Sequence, residues 1–331
     1  MLQHTPFSLL ELASVREGDS IGATVKNTVA YARHAESLGF QRFWLAEHHN
    51  MEGIASAATA VLIGHIAGAT QSIRVGSGGI MLPNHPPLVI AEQFGTLASL
   101  YPGRIDLGLG RAPGTDPVTS RALRRDNMAA EQFPEEVGVL QQLFAPLTPG
   151  QRLKAIPGAG TQVPIWLLGS SLFSAHLAAT KGLPYAFAGH FAPRHAHEAI
   201  EIYKRNFQAS DVLEQPYVML GLSLIAARTQ GEAEFLATTA HQRILALLRG
   251  QPLWLRPPVA TMDGLWSPEE EEAVKSFLGL AIVGDAAHIK ERLSYFAEEM
   301  GVDEFMFTVD MYDPEKRREA LDILRSTKNP E

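Results

Sequence analysis

The chain has 331 residues, 46% of them hydrophobic, with 28 Lys and Arg against 36 Asp and Glu for a net charge of −8. That apolar share suffices for a large core, while the scattered basic residues offer no face to nucleic acid or anionic lipid. There is no cysteine, which excludes disulfides and thiolate metal ligands, and no run of about 18 apolar residues to cross a membrane. The N-terminus, MLQHTPFSLLELASV, has no basic segment leading into a long apolar one, so a cytoplasmic protein is expected.

Phe7 to Ala13 reads as a strand followed by a turn at Arg16 to Asp19. Thr24 to Leu38 carries Val25, Val29, Ala32, Ala35 and Leu38 at helical spacing and stops at Gly39. Arg42 to Glu47 is a second strand, Ser56 to Ala69 a small-residue helix, Ile73 to Leu82 a glycine-rich strand, and Leu88 to Leu100 a helix ended by Pro102 and Gly103. A fourth strand, Ile105 to Leu109, leads past Arg111 into a loop dense in Gly, Pro, Asp and Thr, then into a helix near Met128 to Phe144 that Pro134 either starts or kinks. Further strands fall at Pro164 to Leu168, Tyr185 to Ala188, Tyr217 to Ala227 and Glu304 to Val309. The helices between and after them span Ser171 to Lys181, Arg194 to Gln208, Gln230 to Arg249, Ala286 to Met300 and Pro314 to Ser326.

Eight strands alternating with helices predict one domain, residues 1–331, folded as a (β/α)8 TIM barrel with insertion loops near 111–127 and 250–272. Gly250 to Glu272, proline-rich and irregular, is the lid candidate. Catalytic residues of such barrels gather where the strands end.

Three constellations sit at strand ends. FWLAEHHN finishes an apolar run with Glu47, His48 and His49. Neighbouring residues of a strand face opposite ways, so His48 and His49 cannot chelate together unless the strand has ended, and no H-x-H or H-E-x-x-H spacing occurs. No metal is expected; His48 is read as a polar group at a barrel mouth, or else as a hydrogen-bonded core histidine.

IRVGSGGIMLPNHPP puts Gly76, Gly78 and Gly79 inside a strand, which marks a bulge, a strained peptide, close approach of something flat, or tight packing on a helix. LGLGRAPG and IWLLGSSLFSAH then place Arg111 past one strand and Gly169, Ser170 and Ser171 past the next, opening a helix. Together these make an anion cradle, moderately specific for a phosphate carrying a planar ring. Taken singly, the serines read as helix caps and Arg111 as half of a surface ion pair.

FWLAEHHN, the block VGSGGIMLPNHPPLVIAEQFGTLASLYPGRIDLGLGRAPGTD, and LLGSSLFSAHLAATKGLP resemble the bacterial luciferase-like, flavin-dependent monooxygenases, most of all their small homodimeric, uncharacterised members. The resemblance runs from about Phe7 to Arg325. It implies reduced FMN bound at the C-terminal strand ends, a flavin reductase as partner, and O2-dependent oxygenation of a small organic substrate. His48 matches the active-site histidine. Arg111 and Ser171 match positions holding the flavin phosphate, with Gly169, Ser170 and Ser174 beside them, and Gly78 and Gly79 match a pair joined by a non-prolyl cis peptide behind the flavin ring. Gly-Gly at that pair, the lack of cysteine and the different loop after Arg111 speak against light emission and long-chain aldehyde specificity. An F420-dependent hydride-transfer enzyme and a non-catalytic flavin-binding protein are the alternatives. The small-residue faces of Ser56 to Ala69 and Ile90 to Leu100 suit a homodimer, or packing within one subunit.

Overall fold

A computed structural model describes residues 2–112, 115–124 and 129–328. Pro113, Gly114 and Arg125–Met128, part of the expected loop near 111–127 and the expected start of the next helix, lie outside the described residues. Among the described residues there are nine strands: β1 Phe7–Glu11, β2 Arg42–Leu45, β3 Arg74–Met81, β4 Ile105–Gly110, β5 Ile165–Gly169, β6 Tyr185–Phe187, β7 Val218–Ala226, β8 Ile282–Gly284 and β9 Glu304–Thr308. Eight close a parallel ring in the order β1-β2-β3-β4-β5-β6-β7-β9, with β9 pairing back onto β1 through Phe7↔Phe305. This is the expected (β/α)8 barrel. Strand β8 stands outside the ring and extends the sheet only along the end of β7, Leu224↔Ile282 to Ala226↔Gly284.

The described residues also form eleven α-helices: α1 Ile21–Ser37, α2 Thr59–Ala69, α3 Pro87–Leu100, α4 Pro117–Ala122, α5 Ala129–Phe144, α6 Leu172–Lys181, α7 Ala196–Asn206, α8 Gln230–Leu248, α9 Pro268–Phe277, α10 Ala286–Glu299 and α11 Pro314–Ser326. Their starts follow local chemistry. Ser20, Asp285 and Asp313 cap α1, α10 and α11 by accepting backbone N–H groups, and Ser267 with Glu270 forms a full capping box on α9. Pro134 lies inside α5 rather than at its start. No described helix is long and apolar enough to cross a membrane.

The barrel has an outer and an inner core. Between strands and helices, residues such as Phe43, Val75, Leu107, Phe187 and Phe307 are fully buried. Inside the ring, Leu10, Trp44, Ala46, Trp166, Ala186, Met219 and Met306 fill the lumen, with the two indoles edge to face at 5.2 Å. Truncating a side chain such as Trp44 to Ala costs about 3–5 kcal/mol. Below this layer, where strands begin, lies a charged floor. Asp106 accepts from Arg42 Nη1 at 2.7 Å, Trp44 Nε1 at 3.1 Å and Arg74 Nε at 3.0 Å, while Glu304 accepts from Arg42 Nε, Tyr217 Oη and Ser8 Oγ. Such a layer on the N-terminal face belongs to stability rather than catalysis.

The small residues of α2 and α3 are used within the subunit. A Cβ on Gly64 would meet Leu97, one on Gly68 would meet the Tyr101 hydroxyl, and one on Gly95 would strike the backbone of Gly158.

The stretch after α8 is tied down at both ends. Leu253 N donates to Glu52 O at 2.7 Å and Leu255 N to Val15 O at 2.9 Å, both side chains being buried. Further on, Met262 packs with Leu245 and Val274 in a small core of its own. Half of what read as an irregular loop is thus a packed strap leading into α9.

Candidate active site

β2 delivers the first constellation. Trp44 and Ala46 belong to the inner cluster; β2 ends at Leu45, so contacts rather than strand alternation place Glu47, His48 and His49. Glu47 is buried, 1% exposed, and would carry an unmatched charge without partners. It has several. Its Oε1 accepts from His49 Nε2 at 2.7 Å and from His85 Nε2 at 2.8 Å, and its Oε2 accepts from the Met81 amide at 3.1 Å. Burial pushes the Glu47 carboxyl up, but the hydrogen bonds of His49 and His85, the charge on His85 and the Met81 amide more than offset it and hold the group down at about 2. The segment is pinned again beyond His49, whose carbonyl accepts from Thr115 Oγ1 at 2.9 Å, while Asn50 Nδ2 donates to Thr119 Oγ1.

The strand has ended before His48 and His49, so alternation does not separate them; His49 joins Glu47, and a second imidazole reaches the same carboxylate from the NHPP turn after β3. The ligand atoms of Glu47, His49 and His85 lie within 4.8 Å of one another, a two-His, one-carboxylate set that sequence spacing did not reveal. Here hydrogen bonds among the three satisfy the buried carboxylate.

In β3 the peptide joining Gly78 and Gly79 is cis, and the pairing with β4 shifts register between Ser77 and Ile80. Neither position has space for a side chain. A Cβ on Gly78 would come within 2.6 Å of Leu10 Cδ1 in the lumen, and one on Gly79 within 2.7 Å of Gly108 O on β4. The result is a backbone surface without side chains, next to β2 in the ring.

Arg111 follows β4 directly, and its guanidinium stacks on the Phe173 ring at 4.0 Å, which brings it to the first turn of α6. Gly169 ends β5; Ser170 and Ser171 form the turn, and Ser171 occupies the cap position of α6 without bonding its side chain to the helix. The plain capping reading therefore does not hold for Ser171. Ser174 is buried, and its hydroxyl donates to Ser171 O at 2.8 Å and lies 3.2 Å from Tyr185 Oη. It braces the turn rather than opening toward a ligand. His48, Gly78, Gly79, Arg111 and the Gly169–Ser171 turn thus come from four consecutive strands of the ring and share one side of its mouth.

Sequence reading missed His85 and His190. The latter follows β6 in AGHF, much as His48 follows β2 in AEHH, and that shared strand-end pattern was a usable signal. Burial pushes the His190 imidazole down to about 4, with the charge of Asp310 raising it and that of His48 lowering it.

Fold and site define a barrel enzyme with its polar groups at the C-terminal mouth. The sequence pattern of the luciferase-like monooxygenases matches residues 5–304, and the chain belongs to that family. A Bacillus subtilis protein of uncharacterised activity, YvbT, is 52% identical over 321 residues, 97% of this chain and 96% of that one. A luciferase-like monooxygenase of Escherichia coli strain K12 is 48% identical over 323 residues, covering 97% and 96%. Among solved structures, apo-MsnO8 is 32% identical with a TM-score of 0.90 over 99% of this chain and all of the other. The fold alone is shared with the FMN-bound oxygenating constituent of Pseudomonas putida 3,6-diketocamphane monooxygenase, 18% identical with a TM-score of 0.73 over 99% of both chains. It is shared equally with an F420-dependent secondary alcohol dehydrogenase, 16% identical with a TM-score of 0.68 over 98% of both.

Proposed function

We propose that this member of the family is a monooxygenase that takes reduced FMN from a separate flavin reductase and uses O2 to oxygenate a small organic substrate. The observation that carries the reading is the pairing, on adjacent strand ends, of the bare Gly78–Gly79 surface with Arg111 at the start of α6. A planar ring requires a wall without Cβ atoms, and a phosphate requires a cation and free backbone N–H groups at a helix start. The residues present fit both demands: Gly78 and Gly79 would back the ring, and Arg111, Gly169, Ser170 and Ser171 would hold the phosphate, with Ser174 fixing the turn.

When bound, reduced flavin supplies the two electrons that let one atom of O2 enter the substrate while the other leaves as water. The chain's own part is binding and exclusion. Trp44, Trp166, Met219 and Met306 keep the lumen beneath the site dry. His48, aimed into the mouth, hydrogen-bonds there and holds or passes a proton.

The assay is FMN with a flavin reductase and NADH, under O2, over a panel of aldehydes, ketones and sulfonates. Oxygenated product is expected with at least one member. Peroxide alone throughout, or turnover only with reduced F420, overturns the reading, and simple flavin binding without oxygen consumption identifies a non-catalytic protein. A homodimer is part of the proposal, supported by the exposed Val61 of α2 and Leu100 of α3; a monomer by light scattering removes that part.

A further inference from the structure

The mouth has a second side, which the cofactor groups leave untouched. β6 stands diametrically across the eight-stranded ring from β2, and three residues beyond its end lies His190. Its ring occupies space that Gly221 of β7 vacates: a Cβ on Gly221 would come within 2.8 Å of Nδ1. Gly221 pairs in register with Met306, and Met306 and Met219 both face the lumen, so the space in question lies over the lumen. His190 therefore closes the barrel interior from above, with Phe191 edge to face against it at 4.8 Å. His48, reaching in from β2, is near enough for its charge to bear on the ring.

Among the described residues no carboxylate hydrogen-bonds this imidazole, although the charge of Asp310 reaches it. Nδ1 is sealed from solvent and, among the described residues, has no hydrogen-bond partner; an acceptor is the less costly group to leave unbonded there, which puts the proton on Nε2, the ring nitrogen away from Gly221. Asp310, the acid whose charge reaches His190, is already held by Arg243, whose Nη1 lies 2.6 Å from its Oδ1 and also meets Ser14 Oγ. Arg243 is itself buried, 4% exposed, and its Nη2 is sealed from solvent and unbonded among the described residues, so its charge is met by Asp310 through Nη1 alone. Among the described residues this side thus presents an uncharged imidazole and a matched ion pair. A carboxylate or sulfonate entering here loses its hydration and meets no uncompensated cation, whereas an uncharged polar group needs only one hydrogen bond.

We propose that His190 is a specificity-determining residue, which hydrogen-bonds an uncharged polar group of the substrate opposite His48, so that the β6–β7–β9 side of the mouth selects neutral substrates against carboxylates and sulfonates. The inference deepens the monooxygenase reading and rests on it for the reaction, but not for the binding.

The experiment uses the full chain labelled with 15N-histidine, titrated without flavin with hexanal, cyclohexanone and methyl phenyl sulfide, and separately with hexanoate and hexanesulfonate. The His190 resonance is assigned by its loss in His190→Phe. It is expected to move with neutral probes and not with the anions; an equal response to both sets, or none to any neutral probe, overturns the proposal. In the coupled assay His190→Phe should raise KM for the neutral substrate roughly 5- to 30-fold, the worth of one hydrogen bond, with His190→Gln partly restoring it. Gly221→Ala, whose Cβ displaces the ring, should act in the same direction and serves where His190→Phe does not fold. Unchanged KM in both variants, or an equal loss of FMN affinity, overturns the role. If no substrate is oxygenated but the resonance still responds to neutral probes alone, the reaction assignment fails and the subsite stands.

Discussion

His85 Nε2 lies 2.8 Å from Glu47 Oε1, and this contact joins the end of β2 to the turn after β3 across 38 residues of sequence. Because His49 bonds the same oxygen, the carboxylate clamps both the residue following His48 and the loop beside the Gly78–Gly79 surface. The backbone on either side of His48 is thus held through Glu47 and His49.

Glu47 ties that clamp to acid stability. Its carboxyl is held at about 2, below the ordinary 4.5, so the native state releases this proton more readily than the unfolded chain. The stabilisation is fully present above pH 4.5 and is lost as pH falls from 4.5 toward 2. Roughly 3 kcal/mol is involved. Glu47→Gln should lose about that much in urea unfolding at pH 7, and its stability should fall less steeply than that of the wild type as pH drops from 4.5 toward 2. Parallel curves for the two proteins would refute the assignment.

What the sequence made legible follows from periodicity. All eight ring strands could be read because each is a short apolar-rich segment lying between stretches with helical spacing or turn residues. β8 escaped because three residues, Ile282–Gly284, have no period to detect, and they pair outside the ring. α9 escaped because its acidic run hides a helix that buries only Val274, although Ser267 and Glu270 spelled out a capping box. Within the site, His48 and Arg111 follow strand ends and the Gly78–Gly79 pair lies inside β3, so each shows in the local sequence. The partner of Glu47 could not be found so, since only the barrel brings the NHPP turn alongside β2.

Asp106 tests the separation of floor from mouth. It is fully buried and bonded to two guanidinium groups and an indole. Asp106→Asn leaves Arg42 and Arg74 short of a counter-charge and is expected to cost roughly 3–5 kcal/mol. The folded fraction should bind FMN as the wild type does. A loss of flavin affinity as large as the loss of stability would show that the floor shapes the site.

Arg111 carries the phosphate part of the proposed cradle. Removing one charge-assisted hydrogen bond is worth roughly 1.5–3 kcal/mol, so Arg111→Ala should weaken FMN binding roughly 10- to 150-fold in a fluorescence titration. Arg111→Lys keeps the charge but not the flat contact with Phe173, and is expected to fall between. Riboflavin, which lacks the phosphate, should bind both variants like the wild type; an equal loss for riboflavin would move Arg111 away from the phosphate.

His190 gives a second pH window, distinct from that of Glu47. Burial lowers its imidazole from 6.5 to about 4, Asp310 counteracting and His48 adding to the effect. The unfolded chain therefore takes up this proton first: stability is complete above pH 6.5, declines as pH falls toward 4, and loses nothing more from this group below that. The slope from one proton is at most about 1.4 kcal/mol per pH unit. Thermal unfolding of the wild type should fall more steeply between pH 6.5 and 4 than that of His190→Phe, while the two should run parallel below pH 4, where carboxylates that both proteins share, Glu47 among them, titrate. Curves that stay parallel across the upper window would mean that the ring is charged in the native protein, and the neutral subsite would lose its basis.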